Sequence, residues 1–247
     1  MAGHNKWKQI KRKKAVTDSR RGALWTKLIK ELTVAARGGG GDPAGNARLR
    51  VAIDAAKSAN MPSENIERAI KKGTGALEGV AYEEVTYEGY GPGGAAILVE
   101  CTTDNPTRSV ADLRNIFSKG GGNLGAAGSV AWMFDRRGQI YVDATRFDED
   151  STMEAALDAG AADFVREGEQ YVISTEVRDF HAVQDGLRVK KIAWESAEIA
   201  MIPKNTVKVE GPDAAKLVRL MEAIEEHDDV AKVFSNFDVD EEALAGV

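Results

Sequence analysis

The residues best equipped for chemistry stand near the front of the chain. Lys6, Lys8, Lys11, Arg12, Lys13 and Lys14 lie within one short run, with Trp7 between the first two. Lysine and arginine neutralise phosphates and release counterions, while an indole stacks on an exposed base. Arg20, Arg21, Lys27 and Lys30 extend the positive strip into the segment that follows. No asparagine and arginine pattern suited to bidentate reading of base edges accompanies them. The set therefore supports affinity for a phosphate-bearing polymer more than recognition of a sequence.

Other constellations yield less. Two matches to G-x-G-x-x-G occur, Gly89-Gly91-Gly94 and Gly120-Gly122-Gly125. A dinucleotide site needs strand, motif and helix in that order. The first match lies between two predicted strands, and the second follows a helix and precedes a strand. Gly38 to Gly41 lacks the Gly-Lys-Ser/Thr of a phosphate-binding loop, so all three stretches read as turns. His4, His181 and His227 show no metal-ligand spacing. Cys101 follows Ile97-Leu98-Val99-Glu100 and reads as a small buried hydrophobe. Spacing alone leaves a Cys–His nucleophilic pair open, but nothing singles it out. Asp148-Glu149-Asp150, Asp228-Asp229 and Asp238 to Glu242 read as solvated helix ends and tail. If Met1 is removed, Ala2-Gly3-His4 offers an amine, two amides and an imidazole, a nitrogen set suited to Cu(II) or Ni(II); contact of His4 with a phosphate or base is the plainer reading. The expectation is a protein with no catalytic residues, no resident metal or cofactor and no small-molecule substrate.

The chain around these residues has 247 positions, 43% hydrophobic and 29% charged, which are globular proportions. One cysteine excludes an intramolecular disulfide and a multi-cysteine zinc site. The longest charge-free stretch, Gly120 to Phe134, is glycine-rich and too short to span a bilayer. Met1 to Lys6 leads into bases without an apolar segment, so a cytoplasmic protein without a membrane partner is expected. Charge is unevenly distributed. Residues 1–72 carry 17 Lys and Arg against 6 Asp and Glu, a balance of +11, whereas the remaining 16 bases and 33 acids give −17. Such a division suits a front end that meets a polyanion and a body that repels it.

Periodicity then supplies the elements that must position the cations. Residues 1–17 hold only Trp7, Ile10 and Val16 as sizeable apolar side chains and read as an arm that is mobile until it meets its ligand. Asp18 or Ser19 caps a helix ending at Gly38, with Leu24, Trp25, Leu28, Ile29, Leu32, Ala35 and Ala36 on one arc and Arg20, Lys27, Lys30 and Arg37 opposite. Helices near 46–59 and 63–72 complete a three-helix domain over residues 1–76. Strands at 82–88 and 94–102, a helix at 107–119 and a strand at 129–134 follow. Strand 139–143, helix 150–159, strands 162–165 and 170–174, helix 177–188 and strand 192–200 make a ferredoxin-like βαββαβ set. Elements at 205–210, 212–227 and 230–237 complete a second such set with the strand at 94–102, the helix at 107–119 and the strand at 129–134. The reading is an α+β protein in which one ferredoxin-like domain, residues 135–204, is inserted into another built from 77–134 and 205–247.

Gly3-His4, Lys6-Trp7, Arg21-Gly22, Thr26-Lys27-Leu28, Gly39 to Pro43, Arg48-Leu49-Arg50 and Asn60-Met61-Pro62 resemble the YebC/PmpR family. The likeness continues through Tyr87 to Pro92, Thr103-Asp104-Asn105, Gly121 to Gly125 and Gly128-Ser129-Val130. Asn5 stands where that family usually has Ser, and Thr107 and Ser109 where it has Asn and Thr. The resemblance implies a cytoplasmic, non-enzymatic, three-domain protein. Bacterial members are DNA-binding transcriptional regulators, so it implies promoter DNA as partner. Similar proteins, among them a mitochondrial translational activator, act on translation and are linked to ribosomes and stalled proline-rich synthesis. That implies ribosomal RNA as the alternative partner. A flexible lysine-rich arm with an aromatic suits irregular RNA as well. The free protein is expected to be a monomer.

Overall fold

The computed structural model describes residues 18–239, with side chains from residue 22 onward. Three helices come first: α1 (Asp18–Gly39), α2 (Ala47–Ser58) and α3 (Ser63–Gly73). Asn46 caps α2 by accepting from the amide of Leu49, and its own amide group donates to Ala35 and Gly40 carbonyls at 2.8 Å each. That one buried side chain thus ties the end of α1 to the start of α2. Gly73 permits close approach of α3, since a Cβ there would lie 2.3 Å from the Thr33 carbonyl oxygen. Leu32, Ala35, Leu49, Ala52, Ile66 and Ala69 form the core between these helices.

The expected two-faced α1 is corrected. Lys30 and Leu32 to Ala36 are all buried, so the middle of the helix is covered on every side. It packs on α2 and α3 and also on the sheet that follows. This uncharged run, with the Thr33 hydroxyl bonded to the Ile29 carbonyl, is too broad for a helix with one wet face.

The sheet beneath α1 has the order β3-β1-β2-β9, from β1 (Glu83–Tyr90), β2 (Ala96–Thr103), β3 (Asn123–Leu124) and β9 (Val230–Ser235). Strands β1 and β2 form an antiparallel hairpin from Glu83↔Thr103 to Tyr90↔Ala96, closed by a turn in which Gly93 and Gly94 take positive φ. Helices α4 (Pro106–Lys119) and α7 (Gly211–Glu226) supply Leu113, Phe117, Leu217 and Met221 to a core shared with Ile97, Val99 and Cys101 of β2.

Three strand expectations fail locally within this mixed α/β architecture. Residues 129–133 do not form a strand here; a short 3-10 turn spans Ala131–Met133, and a strand starts only at Phe134. The reason is Glu88, whose buried carboxylate accepts from the amides of Gly128, Val130 and Ala131 at 2.6, 2.7 and 2.8 Å. Those donors are taken by a side chain and cannot enter a ladder. The place beside β2 is filled by β1 instead. The expected strand 205–210 shrinks to β8 (Val207–Lys208), which pairs in parallel with β10 (Phe237–Asp238). The expected strand 230–237 breaks at Asn236, whose side chain accepts from the Ala96 amide.

Burial alone would raise the Glu88 pKa, but the three amide bonds outweigh it and hold the carboxyl below its ordinary range. Glu88→Gln should cost about 1–3 kcal/mol, because an amide nitrogen would then face backbone donors. Urea denaturation checks this; an unshifted midpoint would show that the loop holds its shape without the anion.

Residues 132–206 form a separate compact unit. Its elements are β4 (Phe134–Asp143), α5 (Glu149–Asp158), β5 (Asp163–Glu167), β6 (Gln170–Thr175), α6 (Phe180–Val189) and β7 (Ser196–Pro203). The sheet order β5-β6-β4-β7 with antiparallel neighbours is that of a ferredoxin-like βαββαβ unit. Ile140, Val142, Tyr171, Ile173, Val183 and Leu187 fill its core. Among the described residues no helix is long and apolar enough to cross a membrane.

Candidate nucleic-acid interface

Lys6, Trp7, Lys8, Lys11, Arg12, Lys13 and Lys14 lie outside the described residues. Arg20 and Arg21 fall in the first turn of α1, where the backbone is described and the side chains are not. Lys27 and Lys30 are described, and here the continuous phosphate track is corrected. The ammonium of Lys30 is buried, 2.6 Å from Asp229 Oδ1, and it also donates to the Asp228 carbonyl at 2.9 Å. Lys27, half-buried, donates to the carbonyl of Glu225. That carbonyl belongs to the last turn of α7, where unpaired oxygens and the helix dipole favour a cation. Both lysines are therefore engaged inside the protein, and α1 is latched to the corner between α7 and β9.

Asp229 is the centre of that latch and the residue the sequence reading missed. It is 3% exposed, not solvated. Its Oδ2 accepts from Ser109 Oγ at 2.7 Å, Arg108 Nη2 at 3.0 Å and Thr103 Oγ1 at 3.1 Å. Burial by itself would raise the pKa of this carboxyl; the hydrogen bonds from Lys30, Ser109 and Arg108 prevail and hold it far below the ordinary range. Arg108 also reaches Asp104 at 2.8 Å, which anchors the start of α4 to the same point. One of the positions that departs from the usual motif, Ser109, thus supplies the shortest bond to Oδ2.

The signal for this cluster was present in pieces. A lysine next to the apolar run of α1 needs a counter-charge, and Asp229 stands immediately before an apolar strand. Nothing local joins them, because 199 positions separate the partners.

A cleft of about 580 Å³ opens beside the latch, bordered by Thr26, Tyr82, Asp104, Asp112 and residues 226–229. Its two cations, Lys30 and Arg108, are paired with Asp229. The Nδ1 of His227 accepts from the Asp229 amide at 3.1 Å, and its Nε2 faces Asp112 at 3.4 Å. With carboxylates in excess, the cleft repels phosphate.

The remaining candidates resolve simply. Cys101 is buried, and burial, with help from Asp229, pushes its thiol up to about 12. It stays protonated and cannot serve as a thiolate nucleophile at neutral pH. The two glycine motifs pack against side chains and backbone: a Cβ at Gly89 would sit 2.6 Å from Phe117, and one at Gly120 2.7 Å from Leu220. His181 is exposed and meets Gln184. Among the described residues no group of three or more metal-binding side chains gathers. Ala2-Gly3-His4 lies outside the described residues.

Comparison with known proteins agrees over nearly the whole chain. A family model described as the TACO1/YebC protein N-terminal domain matches residues 5–76, and one described as the TACO1/YebC second and third domain matches residues 82–237. A probable transcriptional regulatory protein of Gemmatimonas aurantiaca is 58% identical over 245 residues, 99% of either chain. One of Chlorobium luteolum is 53% identical over 99% of this chain and 98% of its own. The crystal structure of a conserved hypothetical protein, Aq1575 of Aquifex aeolicus, superposes with a TM-score of 0.82 at 46% identity, over 90% of this chain and 92% of that one.

Proposed function

The chain belongs to the TACO1/YebC family, and from that premise we propose that it is a regulator of gene expression that acts by binding nucleic acid without catalysing a reaction. Its relatives' shared description as probable transcriptional regulatory proteins supports DNA as the target. The observation that carries the reading is the run of six bases around Trp7 ahead of an oppositely charged remainder. Lys6, Lys8, Lys11, Arg12, Lys13 and Lys14 hold phosphates, Trp7 stacks, and Arg20 and Arg21 continue the contact. Lys27 and Lys30 leave this list of phosphate ligands because their ammonium groups already meet protein acceptors. The molecule works in the cytoplasm as a monomer until it binds, with three domains: 1–76, 77–134 with 205–247, and 135–204. A second reading, ribosomal RNA as the target, is favoured by the lysine-rich arm and its aromatic.

Replacing Lys11, Arg12, Lys13 and Lys14 by Ala should weaken binding to duplex DNA and reduce the log–log salt slope by about 3–4. An unchanged slope would mean that these four side chains touch no phosphate. Crosslinking in cells then separates the targets: promoter enrichment supports the first reading, and rRNA enrichment supports the second.

A further inference from the structure

We propose that Lys190 and Lys191, at the corner where α6 ends, form a second phosphate-binding point for DNA, separate from the basic arm. The inference rests on the nucleic-acid reading above and deepens it. Residues 132–206 carry 9 Lys and Arg against 15 Asp and Glu, so cations in this unit have acids to spare. Arg137, Arg166, Arg178 and Lys204 each meet a carboxylate. Lys190 and Lys191 are exposed and make no ion pair among the described residues. Asp185, one turn earlier, is taken by Arg188, whose guanidinium also lies 5.4 Å from the centre of the Trp194 ring. Glu195 accepts from the Gln170 amide. Val189 is 80% exposed, so the corner stands open to a partner.

The backbone supplies an independent argument. The amide of Ile192 donates to the Leu187 carbonyl and that of Lys191 to the Arg188 carbonyl, each at 2.9 Å, and Lys191 takes a φ of 60°. This left-handed turn closes α6. A side chain is disfavoured there because its Cβ crowds the following carbonyl oxygen, which is why glycine is the usual residue. The same position after α3, α4 and α5 holds Gly75, Gly121 and Gly160, and after α2 it holds Asn60. Of these five helices only α6 places a lysine in the turn. The helix dipole favours a cation near this end, but Arg188 in the last turn already supplies one. Folding alone would therefore favour glycine at 191. An ammonium kept at a strained position, beside a second one, suits a phosphate that arrives from outside.

The test is fluorescence anisotropy with a labelled mixed-sequence DNA duplex, titrated with the full-length protein at several salt concentrations, with urea midpoints measured in parallel. Lys191→Gly should reduce the log–log salt slope by about 1 and raise the urea midpoint, because it removes one phosphate contact and relieves the turn. Lys190→Ala combined with Lys191→Gly should reduce the slope by about 2 and weaken binding about tenfold. Lys191→Arg, which keeps the charge, should retain the parental slope.

Parental slope and affinity in the double variant, with weakened binding in the four-site arm variant, would overturn the corner alone. A reduced slope in the double variant beside a parental arm variant would uphold the corner and remove the arm. A parent protein that binds the duplex without salt dependence would overturn the phosphate reading, and the corner with it. A lowered midpoint in Lys191→Gly with an unchanged slope would show that this lysine serves the fold, and would likewise overturn the proposal.

Discussion

Removing residues 2–17 lowers affinity for duplex DNA by about two to three orders of magnitude at physiological salt and reduces the log–log salt slope by about 5. The deletion takes away all six bases between Lys6 and Lys14 together with Trp7. Each lost phosphate contact removes close to one released counterion, so the slope counts the contacts independently of any lost stacking. The described body should not compensate. Its sheet-facing helix presents Lys27 and Lys30 to protein acceptors, and carboxylates outnumber cations in the cleft next to them. The truncated protein should keep its urea midpoint, because the latch and the three cores lie within residues 18–239. Equal affinity of truncated and intact protein would move the binding site onto the body and remove the basis for the arm.

What could be read in the sequence was local. Glycine at 73, the Asn60-Met61-Pro62 break and the alanines of α2 specify three helices, and the structure has them at Asp18–Gly39, Ala47–Ser58 and Ser63–Gly73. The alternating elements after Phe134 fold into the expected sheet order, because each short strand there pairs according to a common topology. The errors share a different cause. Whether residues 129–133 form a strand depends on Glu88, about forty positions earlier, whose carboxylate takes the amides of Val130 and Ala131 from any ladder. Whether Lys30 is a surface cation depends on Asp229, at the other end of the chain. A charged residue reads as exposed until its partner is known. One hint was that Leu32 to Ala36 give this part of α1 no charged side chain.

The same long-range pair makes Asp229→Ala the substitution with the largest expected effect on stability, a loss of about 3–5 kcal/mol. Truncation leaves the Lys30 ammonium buried without its carboxylate and removes the acceptor from Ser109 and Arg108. Lys30→Met should cost less, since Asp229 keeps Ser109, Thr103 and Arg108 as donors. The effect also has a definite dependence on pH. Asp229 and Glu88 both have folded pKa values below their ordinary ones of 3.8 and 4.5. In acid the unfolded chain then binds protons that the folded chain refuses, so stability falls as pH falls. The contribution is fully present above the unfolded values and is lost as pH drops through the folded ones. Urea midpoints of the parent and Asp229→Ala should therefore differ most near neutrality, and the gap should narrow steadily as pH falls below the ordinary carboxyl value of 3.8. A difference that stays constant across that range would show that the charge of Asp229 contributes nothing and that the latch is held by packing alone.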